Sequence, residues 1–374
     1  MKKIGILTYH KQYNYGTVLQ AYALQKYISN KFDVDIEIID YTAKNEYVGK
    51  KLFLTRVKRI GFYISHLSKY IILYLNKNNQ RKRIEEFEQF FLKDLVMSAK
   101  SLETQKEIAN YCKKYDAIII GSDQTWNPYV GQVEDFLINY ITNEKIIKLS
   151  YAPSIGIKRI PDDYKDLYAE ALSKFKALSC REFQGAKNLS SILNRNVEFV
   201  LDPTLLLNKD QWGAVASEVF IKDPYLLVYF LGDNKEYRKF VEKIALMKGL
   251  KIVALPMSYL EMKKENIDKQ YVGPKSFLSL VKNAALICTD SFHGTMFSIN
   301  FEKQFIVFPK RSNKDIKSDN SRIYDALKVF DLEDCLWNGA SFIIKNIDYV
   351  EVNQKLEKLR NMSYKYLEKA LSII

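Results

Sequence analysis

The chain has 374 residues, with 57 Lys and Arg against 44 Asp and Glu, and a formal net charge of +13. Its 47% hydrophobic and 27% charged residues are typical of a folded globular protein and exclude a disordered chain, a collagen-like repeat and a small disulfide scaffold. At about 150 residues per domain, the length predicts two domains. The four cysteines form no CxxC pair, which argues against a structural zinc site or a redox dithiol and favours a reducing cytosol.

Most of the excess positive charge lies in one stretch of the chain. Between Val48 and Ile84 there is no Asp or Glu, and ten residues are Lys or Arg. The rest of the chain therefore carries only +3, which argues against a nucleic-acid partner. The stretch is amphipathic, cationic and aromatic, which favours an interfacial helix on anionic lipid. The alternative is a helical pair packed on the first domain with its Lys and Arg side chains in water.

The N-terminal residues predict the opening of a Rossmann-like domain. Lys3–Thr8 reads as a buried parallel strand, and its apolar run is too short for a signal peptide. A polar loop with Asn14 and Gly16 follows, then a helix over about Thr17–Asn30 and a second strand over Asp35–Asp40.

The same alternation of strands and helices continues to the C-terminus. Further helices are predicted at Glu85–Leu95, Ser101–Lys114, Asp163–Lys176, Phe183–Leu193, Lys235–Met247, Pro274–Lys282, from Thr295 to Phe301, and Glu351–Leu371. Further strands are predicted at Ala117–Ile120, Ile147–Tyr151, Ala177–Cys180, Val197–Leu201, Tyr225–Leu231, Lys251–Ala254, Ala285–Cys288 and Gln304–Phe308. The predicted fold is α/β, with two Rossmann-like domains and ligands at the carboxyl ends of the strands between them.

This alternation also predicts where the domains begin and end. The first domain covers residues 1–204, with a basic helical insertion near 50–100. The second covers 205–350, and a C-terminal helix occupies 351–374.

Short segments in order along most of the chain resemble the polysaccharide pyruvyl transferase family. They are Ile4–Leu24 (IGILTYHKQYNYGTVLQAYAL), Gly121–Asn127 (GSDQTWN), Leu178–Gly185 (LSCREFQG), Leu201–Leu207 (LDPTLLL), Tyr271–Leu280 (YVGPKSFLSL), Thr289–Ser298 (TDSFHGTMFS) and Asn320–Ile323 (NSRI). The resemblance implies a glycosyltransferase-B-like fold. It also implies transfer of pyruvate from phosphoenolpyruvate to two hydroxyls of a sugar, which gives a ketal and free phosphate.

That chemistry requires cations and N–H groups for the donor's phosphate and carboxylate, a general acid for its methylene carbon, and a base for the hydroxyls. His293 is the first candidate, because it lies in a strand-to-helix loop where Gly294 and Thr295 open the next helix. In the family the matching histidine is associated with donor binding and catalysis. We expect His293 to contact phosphate and act as the acid; the alternative is a capping or core histidine.

Arg181 leaves a strand at the edge of the expected cleft. A planar guanidinium suits a bidentate grip on carboxylate or phosphate, and the family resemblance supports donor binding. The alternative is an interdomain ion pair, for instance with Glu182 or Asp202. Lys310 and Arg311 could complete the anion site, as a basic residue near this position does in relatives, or could simply be solvated.

Two further loops supply candidates. In the first, Asn14 and Gly16 let the backbone approach the donor and Tyr9 or Tyr13 could reach donor or sugar, although a plain strand–helix turn explains the loop equally well. In the second, Asp123 and Trp126 suggest acceptor binding by a carboxylate and an indole face, with Asp123 as the base. Their alternatives are a helix cap and core packing.

The remaining motif residues receive no chemical role. Asn320 and Arg322 match a family motif and are expected only to line the cleft, and Asp202 to end a strand before Pro203.

Together these observations predict a cytoplasmic, ketal-forming pyruvyl transferase of surface-polysaccharide synthesis. It needs no cofactor or metal besides phosphoenolpyruvate as donor, and its partners are a lipid-linked sugar acceptor and an anionic membrane surface, where it would lie peripherally at the inner face. One alternative is a nucleotide-sugar-dependent glycosyltransferase of the same fold, although the loop after the first strand lacks GxGxxG. The other is a non-catalytic binding module at the membrane.

Overall fold

A computed structural model describes residues 1–42, 76–264, 267–310, 320–339 and 342–374. Most of the basic stretch, residues 43–75, lies outside this part of the chain, and so does Arg311. The prediction of an interfacial helix there therefore stays a prediction. No helix in the described ranges is long and apolar enough to cross a membrane.

The first domain is built on a parallel sheet with strand order β2-β1-β3-β4. Its strands are β1 (Lys2–Leu7), β2 (Val34–Ile38), β3 (Ala117–Ile120) and β4 (Ile147–Ser150). A parallel pair of β5 (Ser179–Cys180) and β6 (Glu198–Phe199) continues it through a bridge between Leu149 and Ala177. β3 is buried throughout, as expected for a central strand covered on both faces.

Helices of the first domain cover this sheet. They are α1 (Tyr15–Lys31), α2 (Lys77–Lys93), α3 (Gln105–Tyr111), α4 (Val133–Leu137), α5 (Lys165–Ser173) and α6 (Phe183–Leu193). The side chain of Asn14 accepts from the N–H groups of Gly16 and Thr17 and so fixes the start of α1.

The second domain repeats the design with a parallel five-stranded sheet of order β11-β10-β7-β8-β9. Its strands are β7 (Tyr225–Tyr229), β8 (Lys251–Ala254), β9 (Asp268–Lys269), β10 (Leu286–Thr289) and β11 (Phe305–Val307). Its helices are α7 (Lys209–Val215), α8 (Lys235–Lys248), α9 (Tyr259–Lys263), α10 (Pro274–Asn283), α11 (Phe292–Asn300) and α12 (Ser321–Val329).

The C-terminal helix α13 (Tyr349–Leu371) returns to the first domain. The Ser363 hydroxyl accepts from the N–H of Leu201 at 3.0 Å, and the Tyr366 hydroxyl donates to the carbonyl of Ser150 at 2.6 Å. Tyr364 stacks on Phe32 at a centroid distance of 5.8 Å. The helix therefore links the second domain, which precedes it in the chain, to the first domain.

The α/β fold predicted from sequence is confirmed, and β3, α6 and β8 begin and end at the predicted residues. The predicted strand Val197–Leu201 is shorter, and α4, α7, α9, α12 and β9 were not predicted. The prediction for the helix after β10 was wrong by one turn. It begins at Phe292 rather than after Thr295, because the Ser291 side chain accepts from the N–H of Gly294 and caps it earlier.

Candidate functional site

Strand ends from both sheets converge on one buried cluster of charged side chains. Asp123 follows β3, Arg181 follows β5, and Asp202 follows β6 in the first domain. His293 comes from the first turn of α11, after β10 of the second domain. All four are buried, between 2% and 8% exposed. The cluster thus lies where an open α/β fold binds ligands, at the carboxyl ends of its strands.

His293 is held between the two domains. Its imidazole lies against the backbone of Gly16, where any Cβ would collide with the ring. The first turn of α1 therefore needs glycine at this position. His293 Nε2 points towards Asp202 Oδ2 at 3.6 Å, a distance that suits an ion pair but is too long for a hydrogen bond.

Arg181 lies at the centre of the cluster. Its Nη1 donates to Asp202 Oδ2 at 3.0 Å, its Nε lies 3.6 Å from Glu182 Oε1, and its guanidinium stacks 4.2 Å from the ring centroid of Phe292. Ion pairs with the two carboxylates named from the sequence are thus observed, but the prediction that they join the two domains was wrong. Asp202 and Glu182 belong to the same domain as Arg181, so the pairs do not cross the cleft.

Three buried nitrogens in this cluster lack a hydrogen-bond partner among the described residues. They are Arg181 Nε, Arg181 Nη2 and His293 Nε2. A buried donor left unsatisfied costs about 1–3 kcal/mol. Because two of these nitrogens belong to the guanidinium of Arg181, which is always protonated, the arrangement fits an anion that the described residues do not supply.

Asp123 adopts a strained backbone at the edge of the same cluster, with φ of 68°. Its carboxylate accepts from the Thr17 hydroxyl at 2.7 Å and from the Gln124 N–H at 2.9 Å. Burial raises the pKa of Asp123, but His293 and Arg181 outweigh it and lower the pKa below its ordinary value. Asp123 is therefore an ionised carboxylate whose oxygens are aimed by α1 and by its own loop.

Arg322 in α12 brings a second guanidinium to the cluster. It lies 5.7 Å from the ring centroid of Phe292, which Arg181 contacts as well. Its charge also contributes to the lowered pKa of Asp123. Phe292 thus lies in contact with one guanidinium from each domain.

The cleft at this point is nearly closed. Arg181, Asp202, Phe292, Arg322 and Asp325 line a cavity of about 20 Å³ together with apolar side chains. That volume holds about one water molecule. A ligand larger than water would have to displace these side chains to occupy this cavity.

Several predicted site residues have other partners in the structure. Asn14 caps α1, and the Tyr13 hydroxyl donates to Glu88 while its ring packs on Phe87 in α2. Tyr9 is buried against Phe136. In the predicted N-terminal loop, Gly16 contacts the charged cluster through His293.

Trp126 lies in the core of the first domain. It is fully buried, packs against Phe175, and directs Nε1 towards the carbonyl of Phe136. Its indole has no face free for a sugar in this structure, so the packing alternative describes it.

Gly294 and Thr295 lie in the first turn of α11, but the Ser291 hydroxyl already accepts from the N–H of Gly294 at 3.3 Å. The Thr295 N–H donates to the Ser291 carbonyl at 3.0 Å. The turn is therefore closed by its own cap rather than open at both of these N–H groups. Lys310 lies further along, next to Gly232 and Asp290, and its N–H donates to Asn320.

Sequence reasoning gave Asp202 and Arg322 no chemical role, although both contribute to the cluster. A signal existed for Asp202, since it follows a strand as Asp123 and Arg181 do. No signal in the chain shows that it meets His293, 91 residues away. In the described ranges, no group of three His, Cys, Asp or Glu side chains is arranged to hold a metal ion.

A family model described as polysaccharide pyruvyl transferase matches residues 14–310, which is most of the chain. A comparison with curated proteins finds no match. Among solved structures, the fold resembles that of MnaA from S. aureus in a UDP co-structure, with a TM-score of 0.51 and 12% identity over 96% of this chain and 88% of that one.

Two other solved structures match with lower scores. A UDP-GlcNAc 2-epimerase of Methanocaldococcus jannaschii has a TM-score of 0.45 and 15% identity over 96% of this chain and 99% of that one. HepE of Anabaena, in complex with UDP and glucose, has a TM-score of 0.48 and 8% identity over 99% and 100%. At such identities the likeness to MnaA concerns the glycosyltransferase-B-like fold alone.

Proposed function

The chain belongs to the polysaccharide pyruvyl transferase family and is a transferase, and we propose that it moves pyruvate from phosphoenolpyruvate onto two hydroxyls of a sugar, with release of phosphate. The observation that carries this proposal is the group of unpartnered buried nitrogens on Arg181 and His293. They fit a donor that bears a phosphate and a carboxylate.

Two guanidiniums give that donor its grip. Arg181 presents Nε and Nη2 from the first domain, and Arg322, from the second domain, lies 5.7 Å from the centroid of the same Phe292 ring. Planar guanidiniums bind carboxylate and phosphate through paired hydrogen bonds, which a lysine cannot do. Lys310, close to the end of β10, is proposed to add positive charge from the second domain.

His293 acts as the general acid in this proposal. It gives a proton to the methylene carbon of the donor, and the adjacent carbon gains oxocarbenium character and is attacked by the first sugar hydroxyl. The second hydroxyl then displaces phosphate and closes the ketal. Of the two hydroxyl protons, one replaces the proton that His293 gave and the other leaves with the phosphate.

Asp123 is proposed to orient the attacking hydroxyl. Its lowered pKa keeps it ionised, so it accepts a hydrogen bond from the hydroxyl and stabilises the positive charge that develops next to it. Trp126 cannot stack on the sugar in the closed structure because it is buried. The acceptor is therefore proposed to bind at the carboxylate of Asp123 rather than on the indole of Trp126.

The acceptor is proposed to be a sugar of a surface polysaccharide carried on a lipid, with the enzyme in the cytoplasm and close to an anionic membrane. Exposed basic side chains in the described part of the basic stretch support a location close to an anionic membrane. Lys77, Arg81 and Lys82 are exposed at the start of α2, whereas Arg83 is buried and contacts Tyr15 and Phe87. Arg83 therefore belongs to the domain interior and is not free for a membrane.

The test is incubation with phosphoenolpyruvate and a panel of lipid-linked or aryl glycosides, followed by phosphate release and product mass. The proposal expects phosphate and a product heavier by one pyruvate less one water, with equal release in the presence of a chelator. Turnover only with a nucleotide sugar, with release of a nucleoside diphosphate, would replace it with a glycosyltransferase. No turnover with either donor would favour a binding module.

A further inference from the structure

Asp202 lies between Arg181 of the first domain and His293 of the second. It follows β6, opens the turn Pro203–Leu205, and is 2% exposed. One oxygen, Oδ1, accepts from the N–H of Thr204 at 2.9 Å and from the hydroxyl of Thr204 at 2.6 Å. This side of the carboxylate is therefore fixed by its own turn.

The other oxygen faces the cluster. Asp202 Oδ2 accepts from Arg181 Nη1 at 3.0 Å and from the Ser122 hydroxyl at 3.1 Å, and His293 Nε2 lies 3.6 Å away. Ser122 and Arg181 belong to the first domain and His293 to the second. A single oxygen thus sets the spacing between the two residues to which the proposed function gives donor binding and acid catalysis.

We propose that Asp202 is a positioning residue, which holds Arg181 and His293 at a working distance across the cleft and, by its charge, opposes the binding of the anionic donor. This inference rests on the proposed function for the identity of the donor.

The charges of the cluster support the second half of the inference. Arg181 and Arg322 face three carboxylates, those of Asp123, Glu182 and Asp202. Burial raises the pKa of Asp202, but His293 and Arg181 lower it far below its ordinary range, so this carboxylate stays ionised. A donor that reaches the free edge of Arg181 therefore meets the negative charge of Asp202 within a few ångströms, which costs affinity.

The positioning role of Asp202 follows from the geometry that a reaction between bound groups requires. Loss of the right spacing by about 1 Å can lower a rate about a hundredfold. Asp202→Asn keeps the size of the side chain and removes the charge. We therefore expect kcat for phosphate release to fall about tenfold to a hundredfold, while KM for phosphoenolpyruvate stays unchanged or decreases. An unchanged kcat, or a raised KM, would overturn the inference.

A matched carboxylate controls for a general effect of losing a buried acid. Asp135 in α4 is as buried as Asp202, at 2% exposed, but accepts from the side chain of Gln105 at 2.8 Å. Asp135→Asn is expected to leave both constants within about twofold of the wild type. An equal loss of kcat in this variant would overturn a specific role for Asp202.

Asp202→Asn could fail to fold, because Arg181 would lose its shortest-distance partner. Ser122→Ala then tests the same point, since it removes one donor to Oδ2 and leaves the charge in place. It should lower kcat a few-fold without raising KM, and an unchanged kcat would count against positioning.

Calorimetric titration with inorganic phosphate separates this inference from the proposed function. Wild-type protein and Asp202→Asn should bind phosphate, the variant at least as tightly. If the wild type binds phosphate but does not turn over phosphoenolpyruvate, the proposed function fails and the titration alone decides the role of Asp202. Weaker binding by a folded Asp202→Asn, or no binding by the wild type, would overturn the inference.

Discussion

The pKa values of two buried aspartates, at corresponding places in the two domains, are shifted in opposite directions. Asp123 follows β3 of the first sheet, and Asp290 follows β10 of the second. His293 and Arg181 offset burial at Asp123 and lower its pKa, whereas burial dominates at Asp290 and raises its pKa to about 6. The same strand-end position therefore yields a permanent anion in one domain and a titrating group in the other.

The partners of the two carboxylates explain the difference. Asp123 faces cationic side chains across the cleft, while Asp290 accepts from the backbone N–H groups of Leu231 and Gly232 at 2.6 and 2.8 Å. Backbone donors and the charge of Lys310 offset only part of the rise in the pKa of Asp290 that burial causes. We infer that the Asp123 side of the cleft is arranged for charge and the Asp290 side for holding a loop.

The largest expected effect is on the cationic side of this comparison. His293→Ala should lower kcat for phosphate release about a thousandfold, because general acid catalysis contributes about 10²–10⁴-fold. Initial rates at saturating phosphoenolpyruvate measure it, with near-ultraviolet circular dichroism to show that the variant is folded. A kcat within tenfold of the wild type would move the acid to another residue.

The second effect concerns the titrating aspartate. Because the pKa of Asp290 is raised from 3.8 to about 6 on folding, the folded protein retains a proton that the unfolded chain has released between those pH values. The stabilisation that this retained proton gives the folded state is about 3 kcal/mol, and it is lost as the pH rises from about 4 to about 6. Urea unfolding of the wild type and of Asp290→Asn should show this difference between pH 4 and pH 7.

Asp123→Asn is the matched control for that measurement. The pKa of Asp123 is lowered on folding, so its stabilisation is complete above the unfolded value of 3.8 and is lost only at lower pH. The difference between this variant and the wild type should therefore be constant from pH 4 to pH 7. A stability difference that changes with pH over this range would show that the pKa values of the two carboxylates are not shifted in opposite directions.

The third effect tests whether the cations bind the donor. Arg181→Ala should raise KM for phosphoenolpyruvate about 30-fold, since hydrogen bonds to charged groups contribute about 1.5–3 kcal/mol. Arg159→Ala provides a control in the same domain, because Arg159 is exposed and pairs only locally with Asp162. If KM is unchanged in Arg181→Ala, Arg181 is not part of the donor site.

Much of the fold was predictable because buried parallel strands are continuous apolar runs. The sequence of β3, AIII, and that of β8, KIVA, mark both ends of their strands. β6 was less predictable, because its backbone pairs over only two residues although the apolar pattern continues to Leu201. The start of α11 was not predictable because it depends on the Ser291 cap, which the apolar pattern of the helix does not reveal.

The location of Arg181 and His293 at the cleft was predictable, but their partners were not. Arg181 and His293 follow strands, and parallel strands end at one edge of each sheet, so both were expected at the cleft. The meeting of Asp202 with His293 depends on how the two domains close, which no local pattern encodes. The GSDQTWN segment likewise does not reveal that the short turn Gln124–Trp126 directs the indole inward.

The smallest expected effect tests that inward turn. Trp126→Phe should lower the free energy of unfolding by about 1–2 kcal/mol, because a fully buried indole loses packing, and should leave KM for the sugar acceptor unchanged. Trp212→Phe, at a fully buried indole in α7, should show a similar loss of stability. A raised acceptor KM in Trp126→Phe without loss of stability would mean that the open cleft exposes Trp126 to the sugar. The Asp123 loop would then contact the acceptor through its indole as well as its carboxylate.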